Sequence, residues 1–320
     1  MLKAGAMRPF RFSCNVRGLR SRDEFIGYCR QVERYGFHTL FTADHLGSPA
    51  PFPPLVLAAQ VTERLWVGTM VLNVPFWNPH LLAREVATAD VLTDGRLELG
   101  LGAGHMKWEF DTAGLPWQPL GKRVSTVEAT LDELERVFGG GGYPERRKLE
   151  ELTGHSPLKP VQHAGLNKTG PPVIIGGTGD RILALAARRA DIIAVGGLRQ
   201  IPGQPPGTFT ILTGAEADER VAYIRAQAGG RADDLEMHVL IQAVVVTKDR
   251  RAAAGEMISE DGFEMTPDEL LDSPFMVFGT VPEIADQLRE RRARFGFSYL
   301  TVHEPFMAAL APVIDILRED

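Results

Sequence analysis

The side chains best suited to chemistry fall in four short stretches, each at the end of an apolar run. In Ala43-Asp44-His45, a histidine able to donate, accept or shuttle a proton near neutral pH follows a carboxylate. Neighbours on a strand face opposite sides, so both reach one ligand only if the strand ends at Asp44. Otherwise Asp44 caps a loop and His45 is surface. In Gly68 to Asn73, the glycine permits close backbone approach and the Asn73 amide can bind a ring carbonyl or hydroxyl. Phe76 and Trp77 either wall an apolar pocket or pack beneath the next helix, and Trp108 is a third candidate wall. In Leu99 to His105, Gly100, Gly102 and Gly104 strip side chains from one strand face, leaving room for a flat ligand along Gly102-Ala103-Gly104. The spacing is not that of a dinucleotide fingerprint. His105, with Glu109 four residues on, adds a second proton-handling pair. In Gly176-Gly177-Thr178-Gly179-Asp180-Arg181, exposed N–H groups opening a helix favour a phosphate, although such loops also simply turn the chain. Thr178 and Arg181 can add hydroxyl and guanidinium contacts. Zinc spacing, G-x-S-x-G and the P-loop are all missing, so no metal and no dedicated nucleophile is expected. That leaves chemistry carried by an organic cofactor, with the protein supplying position and proton management.

Elements must bring these stretches together. Eight apolar runs alternate with amphipathic ones: Phe10–Val16, Thr39–Ala43, Trp66–Leu72, Leu97–Leu101, Val173–Ile175, Ile192–Val195, Met237–Val246 and Tyr299–Val302. Runs such as Ile192–Val195 lack period-2 alternation, which suits strands buried on both faces and paired in parallel through helical crossovers. Helices are expected over Ser21–Tyr35, with Ser21 as N-cap and Gly36 as terminator, from Pro79 to just before Asp94, and over Lys122–Phe138, Val281–Phe295 and Pro305–Leu317. The implied fold class is α/β, a (β/α)8 TIM barrel with insertions at its C-terminal mouth; a doubly wound sheet is the alternative. In a barrel, the loops after the strands build the active site, which gathers the four stretches on one rim. The Gly-, Pro- and charge-rich span 139–172 reads either as a solvated excursion or as a lid over that mouth. Spans 197–207 and 259–274 read as further irregular loops.

The 320 residues, 44% of them hydrophobic, suffice for a single domain over 1–320, with 1–8 a loose N-terminal extension. A net charge of -6 gives no support to nucleic-acid or anionic-membrane partners. A phosphorylated cofactor can still bind through backbone N–H groups. Cys14 and Cys29 read as buried thiols in a reducing compartment. With no apolar run near the roughly 20 residues needed to span a bilayer, and no signal-peptide pattern, a cytoplasmic location is expected.

The ordered motifs GFHTLFTADH (Gly36 to His45), VGTMVLNVPFWNP (Val67 to Pro79), DGRLELGLGAGHMKWEF (Asp94 to Phe110) and PPVIIGGTGDRILALAARRADIIAV (Pro171 to Val195) resemble the luciferase-like monooxygenase family. VFGTVPEIADQLRERRARFGFSYLTV (Val277 to Val302) looks like its seventh-helix and eighth-strand region. The pattern is closer to the branch using the deazaflavin coenzyme F420 than to the FMN monooxygenases. The resemblance implies hydride transfer at the deazaflavin C5 to or from a small, apolar organic substrate, with little oxygen activation. It implies a cis non-prolyl peptide at Met70-Val71 beneath the ring, Asp44 and Asn73 beside it, Gly177 to Gly179 at the cofactor phosphate, and His45 at the reacting face. A homodimer is expected. Where the branch can carry a carboxylate after the fourth-strand glycines, this chain has His105, which argues against sugar-phosphate chemistry and leaves the acid open among His45, His105 and Glu109. An FMN-dependent monooxygenase and a flavin-binding barrel without turnover are the alternatives.

Overall fold

Eight parallel strands close a barrel: β1 (Arg11–Val16), β2 (Thr39–Thr42), β3 (Trp66–Thr69), β4 (Leu97–Gly102), β5 (Val173–Gly177), β6 (Ile192–Val195), β7 (Glu236–Ile241) and β8 (Phe297–His303). β8 returns to β1, with Asn15 beside His303 in register. This is a computed structural model, and residues 7–143 and 146–318 are described. Helices cover the barrel, and the main core lies between them and the outward faces of the strands, where Cys14, Leu40, Val67 and Ile193 are fully buried. Local signals set the helix ends: the Ser21 side chain accepts the Glu24 N–H at 3.3 Å, and Gly36 takes a φ of +83° just beyond the helix Arg22–Arg34.

Five expectations need correction. The third run does not continue unbroken to Leu72: it stops after Thr69, the Met70-Val71 peptide is cis as the resemblance implied, and pairing to β4 resumes at Leu72–Asn73. The seventh run is two strands, because Ala243–Val246 leaves the barrel to pair in parallel with Met276–Gly279, and the polar Gln242 marks the join between them. Of the two readings of the span 139–172, the lid fails for its described residues. The span follows a helix and leads into a strand, so it lies at the N-terminal end, where Gln162 Nε2 donates to Leu97 O at 2.8 Å and Val161 N to Asp90. Within 259–274, the helix Pro267–Asp272 is opened by a Thr266–Glu269 capping box. Of the loose extension, residues 1–6 lie outside those described, while Arg8 is tied to Asp234 O at 2.7 Å.

Alternation along the strands points every second residue into the barrel. At the bottom, Arg11 bonds Glu98 and Glu236, and the Tyr299 hydroxyl donates to Glu98 at 2.7 Å. Burial alone lowers the Arg11 pKa, but Tyr299, Glu98 and Glu236 outweigh it, so the guanidinium is held charged. One level up, Thr301 Oγ1 lies 2.5 Å from Ser13 Oγ and 2.6 Å from His238 Nε2. An apolar patch of Phe41, Ile174, Ile192 and Ala194 fills the other side of the interior.

The buried histidines make the fold acid-sensitive. Burial, then Arg11, pushes His238 down to about 3, and burial with Arg17 pushes His303 down to about 4. Both are neutral when folded and protonate near about 6.5 when unfolded. Their contribution is therefore complete above that value and is lost as pH falls through the window below it, by up to about 1.4 kcal/mol per pH unit for each. The urea midpoint is expected to fall between about pH 7.5 and about pH 5, with a shallower fall in His238→Leu. A midpoint unchanged over that interval would contradict this account.

Candidate active site

The mouth gathers the loops after β2, β3 and β4, and one pair of side chains stands out there. His45 Nδ1 lies 2.9 Å from Glu109 Oε1, which also accepts the Leu46 N–H at 3.0 Å. Glu109 is 1% exposed, whereas the His45 ring is partly open to the mouth. A carboxylate on Nδ1 fixes that nitrogen as the protonated one, so Nε2 faces outward as the site for proton exchange. The His105 ring meets His45 edge-on at 5.2 Å and Phe209 at 5.5 Å. Lost hydration, with His45 and Arg123 as positive neighbours, lowers the His105 pKa even though the residue keeps an exposed edge. His105 is accordingly neutral near pH 7 and carries no proton to give as an imidazolium. Phe209 belongs to the hairpin Leu198–Gln200/Phe209–Ile211, so the insertion after β6 reaches over the mouth.

Asp44 is committed to structure: its Oδ2 accepts Asn73 N at 3.0 Å and the Trp77 indole N–H at 2.8 Å. Burial raises its pKa while those two bonds oppose the rise. Trp77 also meets Phe52 edge-on, and Phe76 packs on Phe110, so both are held in packing contacts. Trp108 is 53% exposed. Asn73 is 4% exposed, and neither amide atom has a partner.

The fourth-strand glycines do not open a bare face. A Cβ on Gly100 would strike the Thr69 carbonyl oxygen, one on Gly102 a Val71 methyl, and one on Gly104 the Asn73 amide. Their missing side chains admit the irregular end of the third strand, and Val71 also lies against Gly176. The flat-ligand reading of that face is thus corrected, because the space is taken by this chain. Nor does Gly177 need a positive φ; a Cβ there would strike Ile182. Gly179 is the N-cap of the helix Asp180–Arg189 and provides no side-chain cap, which leaves the first N–H groups of that helix for a ligand. Thr178 stands next to it, but Arg181 turns away to Ser125 at 2.7 Å.

Arg123 is the residue that the sequence did not reveal. It is buried, donates to Ala103 O at 3.0 Å and to Gly104 O, and stacks 3.7 Å from the Trp117 ring centre. It clamps the loop that carries His105 and Glu109. On a helix face, it reads as an ordinary solvated charge. Two cavities, of about 330 and 350 Å³, share Arg11 and His38 at the opposite end of the barrel and hold none of these residues. In barrels of this kind that face serves stability rather than chemistry.

Comparison with known proteins agrees with the barrel fold. A profile of the family described as luciferase-like monooxygenase matches residues 3–262. The chain is 27% identical over 314 residues to the F420-dependent glucose-6-phosphate dehydrogenase of Microbacterium testaceum, spanning 88% of each protein. It is 33% identical over 119 residues to the oxygenase component of the flavin-dependent trigonelline monooxygenase of Acinetobacter baylyi, covering 35% of this chain and only 33% of that protein. Its fold is similar, at a TM-score of 0.68 and 15% identity, to coenzyme F420 dependent tetrahydromethanopterin reductase from Methanopyrus kandleri, over 96% and 97% of the two chains. It is also similar, at 0.67 and 16%, to the oxygenating constituent of 3,6-diketocamphane monooxygenase of Pseudomonas putida in complex with FMN, over 97% and 96%. The chain belongs to the luciferase-like monooxygenase family.

Proposed function

We propose that this oxidoreductase uses coenzyme F420 to move a hydride to or from a small organic molecule at the barrel mouth. The observation that carries this is the buried Glu109 carboxylate holding the open His45 imidazole on the rim. The relative that matches over most of its length is described as F420-dependent, which supports the cofactor. The residues fit such a group in two places. The unpartnered Asn73 amide, beside the Cβ-less Gly104, suits the polar edge of a ring, and the uncapped helix start at Gly179 suits a phosphate. When bound, a deazaflavin supplies a carbon that gives or takes hydride.

The side chains do the remaining work. Glu109 orients His45 through Nδ1, and Nε2 gives the substrate a proton when hydride leaves negative charge on it. Asp44 ties the Asn73 backbone to Trp77, and Arg123 fixes the carbonyls of Ala103 and Gly104, so both sides of the mouth are held in place. The partial similarity to a flavin-dependent monooxygenase favours a second reading, an FMN-dependent monooxygenase on the same scaffold. Oxygen uptake separates the two. With reduced F420 and a panel of small carbonyl compounds, the protein is expected to oxidise the cofactor without consuming dissolved oxygen. Oxygen uptake that depends on reduced FMN, with no reaction of F420, would establish the second reading.

A further inference from the structure

The interior of the barrel changes character at its top level, along β7, β8 and β1. Arg11 and Ser13 on β1, Tyr299 and Thr301 on β8, and Glu236 and His238 on β7 all reach inward, as their mutual hydrogen bonds show. The same alternation brings Asn15, His303 and Gln242 to the next level, nearest the mouth. Asn15 and His303 are register partners on adjacent strands, and His303 Nε2 lies 3.4 Å from Gln242 Oε1.

Below this level the side chains are tied by several short bonds, with Arg11 Nε and His238 Nδ1 left over. At this level the long His303–Gln242 contact stands beside two open acceptors. Asn15 is 6% exposed, and its Oδ1 has no partner; His303 is 8% exposed, and its Nδ1 has none. Leaving one such buried group unsatisfied costs about 1–3 kcal/mol, and two side by side call for a partner from outside the chain. With Gln242 Oε1 taking the Nε2–H, the His303 Nδ1 offers a lone pair, as does the Asn15 Oδ1. Two adjacent acceptors suit a donor group. The level also carries no charge: Asn15 and Gln242 are amides, and burial pushes His303 down to about 4. Arg17 and Glu304 follow these strands at the rim, where Glu304 accepts the Arg17 N–H at 3.2 Å.

We propose that Asn15, Gln242 and His303 form the subsite that holds the substrate, and that they select an uncharged hydroxyl over a phosphate or a carboxylate. This rests on the hydride-transfer reading, because it assigns the substrate of that same mouth. An anionic head group would meet two lone pairs and no cation, with only the neutral amide N–H groups of Asn15 and Gln242 to answer its charge. A hydroxyl would donate to one acceptor and satisfy what the fold leaves open.

The test uses the full chain loaded with F420 and reads its thermal midpoint with matched probes: cyclohexanol and benzyl alcohol against cyclohexanecarboxylate and benzoate. Cofactor binding is measured first, by tryptophan quenching. The alcohols are expected to raise the midpoint more than the carboxylates do, and Asn15→Leu and His303→Gln are each expected to remove most of that difference while F420 affinity stays within about twofold. Without any ligand, Asn15→Leu should raise the midpoint by about 1–3 °C, because an unpaired buried amide gives way to an apolar group of similar size. A merely structural Asn15 would lose stability instead. Carboxylates that stabilise as well as the alcohols, an alcohol effect that survives both variants, or a lower midpoint for Asn15→Leu would each overturn the assignment. Failure of the wild type to bind F420 would overturn the parent reading, and this one with it, before any alcohol is added.

Discussion

His45→Ala is expected to lower kcat by roughly 10²–10⁴ while leaving the fold and most of the cofactor affinity intact, the usual worth of one positioned acid or base. The ring contributes through Nε2, since Nδ1 is taken by Glu109 at 2.9 Å. His45→Asn can still hydrogen-bond but cannot carry a proton at neutral pH, so it should lose nearly as much; a much smaller loss would mean that hydrogen bonding alone matters. Glu109→Gln keeps an acceptor for Nδ1–H and Leu46 N–H but removes the charge that steadies an imidazolium, so it should lose less than His45→Ala. His105→Ala should matter least, because a ring held neutral has no proton to give. Near-normal kcat in His45→Ala, with the loss falling on His105→Ala or Glu109→Gln, would move the proton to the fourth-strand loop. Steady-state kinetics on any carbonyl compound that the loaded enzyme reduces decides among these.

Gly100→Ala should cost about 3 kcal/mol or more, or prevent folding, because its Cβ would fall on a backbone oxygen that cannot rotate away. That oxygen belongs to Thr69, whose hydroxyl is 2.9 Å from both Gly100 N and Gly100 O, so strain there also loosens the join between β3 and β4. Gly27→Ala is the control: it lies inside the helix Arg22–Arg34, and a Cβ there meets nothing. The same substitution at Gly27 should stabilise by about 0.5–1 kcal/mol, since helical alanine loses less backbone entropy on folding. Urea midpoints moving in opposite directions confirm the packing at Gly100; a well-folded Gly100→Ala of normal stability contradicts it.

These glycines show where reading the sequence succeeds and where it stops. The eight runs, the Ser21 cap and the meeting of four stretches on one rim were legible, because they rest on local periodicity and on the geometry of a closed barrel. The alternate glycines were legible as a cleared face, but what fills the clearing, Thr69, Val71 and Asn73, depends on a neighbouring strand. Glu109 was named as a rival to His45, whereas the two form one pair across 64 residues, a relation that only tertiary closure creates. The departure of the chain from the barrel after Ile241 is marked only by Gln242, and a single polar residue within a run does not separate a strand end from an inward-facing side chain. The helix Gly214–Ala228, opened by the capping box Thr213–Glu216, was not among those expected, although the Thr-x-x-Glu pattern stands in the sequence. Arg123 was not readable, since nothing in its spacing separates a buried clamp from a surface charge.

Direct titration of the protein with each cofactor tests the central claim. Trp77 is bonded to Asp44 and Trp117 lies beneath Arg123, so tryptophan emission reports on the mouth. Coenzyme F420 is expected to quench that emission saturably and to bind more tightly than FMN. Tighter binding of FMN, or no saturable response to F420, would contradict the account.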